Sequence, residues 1–107
     1  MKIIIEIGFS EPLFNILTTI AKDKKSASKK FNKDLKEKIN LLLESPFMCR
    51  PSIYFKDTKY RDLIFKGYTI IYKVEDNEIK VLDIFKWQDR WLYRIIEKFS
   101  FIYYLYP

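Results

Sequence analysis

The chain has 107 residues, 49% of them hydrophobic and 18% aromatic, which suffices for one domain with a core and leaves little room for a second. It contains no histidine and a single cysteine, Cys49, which excludes imidazole-based nucleophile pairs, histidine zinc sites and an internal disulfide. Lys+Arg 20 against Asp+Glu 14 gives a net charge of +6, a surface that attracts nucleic acid, anionic lipid or an acidic protein.

Residues Met1 to Ile7 form an isoleucine-rich, β-branched run and are predicted to be a strand. Its apolar part is short and is interrupted by Glu6, so it does not read as a signal peptide, and the expected compartment is the cytoplasm. Ser10 is the predicted N-cap of a first helix, with Glu11 and Pro12 in its first turn. Leu13, Ile16, Leu17 and Ile20 recur at spacings of three and four and give it an apolar stripe. The polar run Lys22-Asp23-Lys24-Lys25 is the predicted turn into a second helix over Ser26 to Glu44. That helix carries Ala27, Phe31, Leu35, Ile39 and Leu42 or Leu43 on one stripe, and Ser45-Pro46 stops it. Few residues separate the two helices, so an antiparallel hairpin is expected.

Lysines concentrate here. Between Lys22 and Lys38 stand eight lysines against Asp23, Asp34 and Glu37, a local excess of +5. Such a stretch is either a solvated helix face or a docking surface for an acidic partner.

Cys49 to Thr58 reads as a loop. Beyond it the period changes to two, and Tyr60 to Lys66, Tyr68 to Glu75 and Glu78 to Lys86 are three predicted strands. Gly67 marks a tight turn between the first two, and Asp76-Asn77, residue types that accept positive φ, join the last two. An antiparallel meander with one face on the helix hairpin follows. Trp91 to Phe99 is a candidate helix inside an apolar tail, too short to cross a bilayer. The predicted fold class is therefore α+β: a strand, a two-helix hairpin, then a three-stranded meander in one sheet with the helices on a face, all within a single domain.

The segment IAKDKKSASKKFNKDLKEKINLLLESP (20–46) resembles the helix hairpin of the RelE/ParE toxin superfamily, with its alanine, aromatic, leucines and proline stop. The block YRDLIFKGYTIIYKVEDNEIKVLDIFKWQDR (60–90) resembles the sheet of the same superfamily. The resemblance covers about residues 1–90 and leaves 91–107 as an added tail. It implies the toxin of a bacterial type II toxin–antitoxin pair, bound by a cognate antitoxin with an acidic or amphipathic segment, and it calls for no cofactor and no metal.

Two activities occur under this fold. RelE-like members cleave messenger RNA on the ribosome, using the 2′-hydroxyl as nucleophile. ParE-like members inhibit DNA gyrase and need no catalytic set. On the nuclease pattern the matching positions are Arg61 on the first meander strand, Lys86 at the end of the last, and Tyr93 seven residues later, with Arg90 as a substitute cation. Two positions often held by arginine in the nucleases are Thr69 and Trp87 here. Losing one such contact to the phosphate typically costs about 10²- to 10³-fold in rate. The ParE-like reading is therefore favoured. Partner-binding candidates are Lys29, Lys30, Lys33 and Lys36 on the second helix and Trp87 after the last strand. A nucleic-acid-binding module with no toxin role is a third possibility, since lysines with tyrosines can contact phosphates and stack on bases.

Overall fold

The computed structural model describes residues 1–86. The C-terminal helix and tail expected over 91–107, together with Trp87, Arg90 and Tyr93, lie outside the described residues. The element order is β1 (Lys2–Ile5), α1 (Ile7–Asp23), α2 (Lys25–Asn40), a 3₁₀ turn (Leu41–Leu43), β2 (Arg50–Pro51), β3 (Tyr60–Phe65), β4 (Tyr68–Val74) and β5 (Glu78–Lys86).

These strands form one five-stranded sheet in the order β1-β5-β4-β3-β2. The predicted meander is present as β3, β4 and β5, each antiparallel to the next. Two features extend it. β1 joins β5 in parallel, with Lys2 opposite Glu78 and Ile5 opposite Val81. The segment expected to be all loop supplies β2, whose Arg50 and Pro51 pair with Asp62 and Arg61.

Helix α1 starts three residues before the predicted cap. Glu6, in extended conformation, is the N-cap, and its carbonyl accepts from Phe9 N at 3.0 Å and Ser10 N at 3.1 Å. Pro12 thus lies inside the helix, where it has no N–H for the Gly8 carbonyl. Burial of Phe9 against the sheet accounts for the early start, since residue 9 reaches the core only if the helix has already begun. Lys24 alone separates α1 from α2.

On α2 the buried stripe is Ser28, Phe31, Leu35 and Ile39, continued by Leu42 of the 3₁₀ turn. Ala27, expected on that stripe, is exposed. Ser28 is accommodated in its place because its hydroxyl donates to the Leu17 carbonyl at 2.8 Å, which satisfies a buried polar group across the hairpin. Leu35, Leu42, Ile70, Tyr72, Ile79 and Val81 sit at 0% exposure in the core between helices and sheet.

Both turns of the meander are short, and only one uses positive φ. Lys66 (φ 48°) and Gly67 (φ 82°) both occupy the left-handed region at the β3–β4 turn, as a type I′ hairpin requires. Asp76-Asn77 closes the β4–β5 turn with ordinary φ values, Glu75 N donating to Glu78 O at 2.8 Å. Nothing lies within 4 Å of a Cβ added at Gly67, so Gly67→Ala isolates the backbone cost of that turn. The expected loss is about 1 kcal/mol by urea denaturation, with the slope of the transition unchanged.

Candidate partner-binding groove

One strand edge and two helices enclose an open groove of about 550 Å³. β1 contributes Ile3 and Ile5, α1 contributes Phe9, Leu13, Phe14 and Leu17, and α2 contributes Leu35 and Ile39, with Asn32, Lys36 and Asn40 along its lip. The lining is predominantly aliphatic and aromatic. Phe14 is 69% exposed and Ile5 49%, so the groove continues onto an apolar surface that also includes Ile7.

The β1 wall is an open edge. Lys2 N donates to Asn77 O at 3.2 Å and Glu6 N to Val81 O at 3.0 Å. Strand alternation then turns the N–H and C=O groups of Ile3 and Ile5 away from β5, toward the edge. At the opposite wall, the Oδ1 of Asn32 is buried with no partner among the described residues.

Of the partner-binding candidates, Lys29, Lys33 and Lys36 are exposed on α2. Lys30 is also exposed but is engaged: its Nζ lies 3.1 Å from Asp34 Oδ2, which Lys66 approaches at 3.6 Å. The hydrogen bond from Lys30, with added attraction from Lys66, holds the Asp34 carboxyl below its ordinary value.

The described catalytic candidates are not brought together. Arg61 lies opposite Tyr72 and Lys86 opposite Tyr68, so they stand four positions apart along β4, about 13 Å along a strand. Arg61 is occupied with the chain itself. Its Nε donates to Thr58 O at 2.8 Å, its Nη1 donates to Cys49 O at 3.1 Å, and its guanidinium stacks 4.7 Å above the Phe47 ring. Thr69, at a position often arginine in the nucleases, is 1% exposed. Lys86 is exposed at the end of β5.

Sequence reasoning did not anticipate how the 46–53 segment is fastened. Tyr72 OH donates to Pro46 O at 2.8 Å, and burial, with the Cys49 thiol beside it, pushes that phenol well above its ordinary pKa. The buried Asp62 carboxylate accepts from Ile53 N at 3.2 Å and from Arg50 at 3.4 Å. Arg61→Ala removes the hydrogen bonds to Thr58 O and Cys49 O and the cation–π contact with Phe47, and is expected to cost about 1 to 2 kcal/mol in thermal unfolding. An arginine with no structural role would leave the melting temperature in place.

Among the described residues no helix is long and apolar enough to cross a membrane. Curated protein sequences gave no match to this chain. In fold, the chain is similar to one from the chromosomal ParDE toxin–antitoxin system of P. aeruginosa, with a TM-score of 0.67 at 19% identity, covering 80% of this chain and 95% of that one. Residues 8–91 match the profile of a family described as the ParE toxin of the type II toxin–antitoxin system parDE. The match takes in both helices of the groove and the whole meander, and the chain belongs to the ParE toxin family.

Proposed function

We propose that this protein arrests growth by binding DNA gyrase in the cytoplasm, and that a cognate antitoxin neutralises it by seating an amphipathic segment in the groove of α1, α2 and β1. Membership of the ParE toxin family carries the gyrase assignment. The disposition of the nuclease candidates supports it, because Arg61 is committed to the carbonyls of Thr58 and Cys49 and stands far along the sheet from Lys86. A phosphoryl-transfer site needs its cations converging on one group. Inhibition of gyrase asks only for a binding surface.

Support for the antitoxin seat comes from the groove itself. It offers apolar volume, an open strand edge and a polar lip with Lys36 on it, which suits an amphipathic chain with apolar side chains on one face. A supercoiling assay with purified gyrase, run beside a ribosome-dependent cleavage assay on a defined message, tests the assignment. Loss of supercoiling with an intact message is the expected result. Message cleavage with unaffected supercoiling would overturn it in favour of the RelE-like nuclease.

A further inference from the structure

α2 is not uniformly basic around its circumference. At about 100° per residue, Lys25, Lys29, Lys33 and Lys36 fall within an arc of about 80°. Asn40 lies inside the same arc, and Ser26 and Asn32 stand about 20° beyond its two edges. The apolar stripe of Phe31, Leu35 and Ile39 falls outside it and is buried against the sheet. Of the acids on α2, Glu37 stands about 40° and Asp34 about 100° beyond the arc. Among the described residues no acid comes within ion-pair distance of any of the four lysines, whereas Lys30, Lys66, Lys73 and Lys80 are each paired. All four are exposed, and only Lys36 also borders the apolar groove. The result is a wholly polar face with uncompensated positive charge along its length.

We propose that this row is a docking surface for the sugar–phosphate backbone of duplex DNA, a property separate from the groove. From Lys25 to Lys36 the helix rises about 16 Å, over which one strand of a duplex presents about five phosphates. Four ammonium groups on long stems can each meet one of them, and the Asn and Ser side chains at the margins add hydrogen-bond donors of the kind that contact phosphate. The make-up of the face decides against other polyanions. A protein partner needs apolar or aromatic anchors at the centre of its contact, and the arc holds none. Single-stranded nucleic acid is held by stacking on aromatic rings, and the arc has no Phe, Tyr or Trp. A lipid surface takes up the apolar side of a helix, and here that side is committed to the core. A duplex asks only for cations and donors on an accessible face. Lysines on phosphates carry no base information, so the binding is independent of sequence. Keeping the toxin beside a gyrase already on its DNA would be a consequence, and it rests on the gyrase assignment; the DNA contact does not.

The test is a titration of the purified full chain into a fluorescently labelled duplex of about 20 base pairs, read by anisotropy between about 50 and 200 mM salt. Four phosphate contacts give a logarithmic salt slope of about −3.6 (0.9 × 4), or roughly a 150-fold weakening over that range. Two duplexes of unrelated sequence should bind within about twofold of each other. Two quadruple variants remove equal charge: Lys25, Lys29, Lys33 and Lys36 each to Gln, and Lys2, Lys38, Lys59 and Lys80 each to Gln. Gln has nearly the helix propensity of Lys, and matching urea midpoints show that both variants fold. The first is expected to bind about 100-fold more weakly at low salt and to lose most of the slope; the second should stay within about threefold. Equal losses in both would reduce the effect to net charge and overturn the proposal, as would an unaltered protein that does not bind at the lowest salt. Unlabelled duplex should displace the label at a lower concentration of charge than single-stranded DNA, vesicles of anionic lipid or a polyglutamate chain. The reverse order for any of these would take the row away from duplex DNA. None of these readouts involves gyrase, so a failed supercoiling assay leaves the inference standing and a failed titration leaves the gyrase reading standing.

Discussion

Leu35→Ala is expected to lower the free energy of unfolding by about 3 kcal/mol, a large fraction of the roughly 5–15 kcal/mol available to a small domain. Leu35 is completely buried at the middle of the α2 stripe, and it also floors the groove. Truncating it removes apolar contact from the core, and the space left opens into the groove rather than closing into a sealed void. The cost should therefore fall in the middle of the roughly 2 to 5 kcal/mol range for such truncations and not at its top. Chemical denaturation measures it directly; a loss below about 1 kcal/mol would mean that α2 is not seated on the sheet as described. A bound partner should recover much of the loss, because a ligand that binds only the folded state at a hundredfold excess over its Kd adds about 2.7 kcal/mol.

Gly8→Ala should destabilise the protein by about 2 kcal/mol, although helix propensity by itself predicts a gain of about 1 kcal/mol. The two effects have opposite sign, so the measurement decides between them. A Cβ at position 8 would lie 2.7 Å from the carbonyl oxygen of Leu82, a backbone atom that no rotamer change can move aside. Leu82 is the extra residue of a bulge, since Ile71 pairs with Asp83 and Tyr72 with Val81. Relief would require α1 to lift from β5 or the bulge to flatten. Lifting α1 would draw Phe9 out of the core and widen the groove. A more stable Gly8→Ala variant would show that the first turn of α1 is held away from the sheet.

The elements that were legible in the sequence are those whose cause is local. Period-two patterning and a glycine turn indicated the meander, and an apolar stripe indicated α2, although that helix ends at Asn40 and passes into the 3₁₀ turn Leu41–Leu43 before the expected stop at Ser45-Pro46. What was missed depends on residues far apart in the chain. Ser10 and Pro12 carry a local signal for a helix start, but α1 begins at Ile7 because Gly8 and Phe9 meet β5. Ser28 is buried where Ala27 was expected, by virtue of the Leu17 carbonyl eleven residues earlier. Positive φ falls on Lys66, which has no intrinsic liking for it, because a two-residue turn beside Gly67 demands it.

The candidate site divides in the same way. Excess lysine on α2 was visible in the sequence, but the sorting of Lys25, Lys29, Lys33 and Lys36 from Lys30 depends on helix phase and on Asp34. The groove itself could not be read, because its walls come from three separate segments. Arg61 illustrates the reverse case: by residue type it is a phosphate ligand, and in the fold it fastens a loop.

The parallel pairing of β1 with β5 has a consequence during synthesis. Lys2 finds Glu78 across 76 residues (78 − 2), so the first strand made is joined to the sheet by the last. At roughly 5–20 residues per second, the interval between the emergence of the two strands is several seconds at least. Through that interval the isoleucine strand has no sheet to join, while α1 and α2 can already form by local contacts. A wall of the groove is thus among the final pieces to be completed, so any partner seated there meets the finished fold rather than a nascent chain.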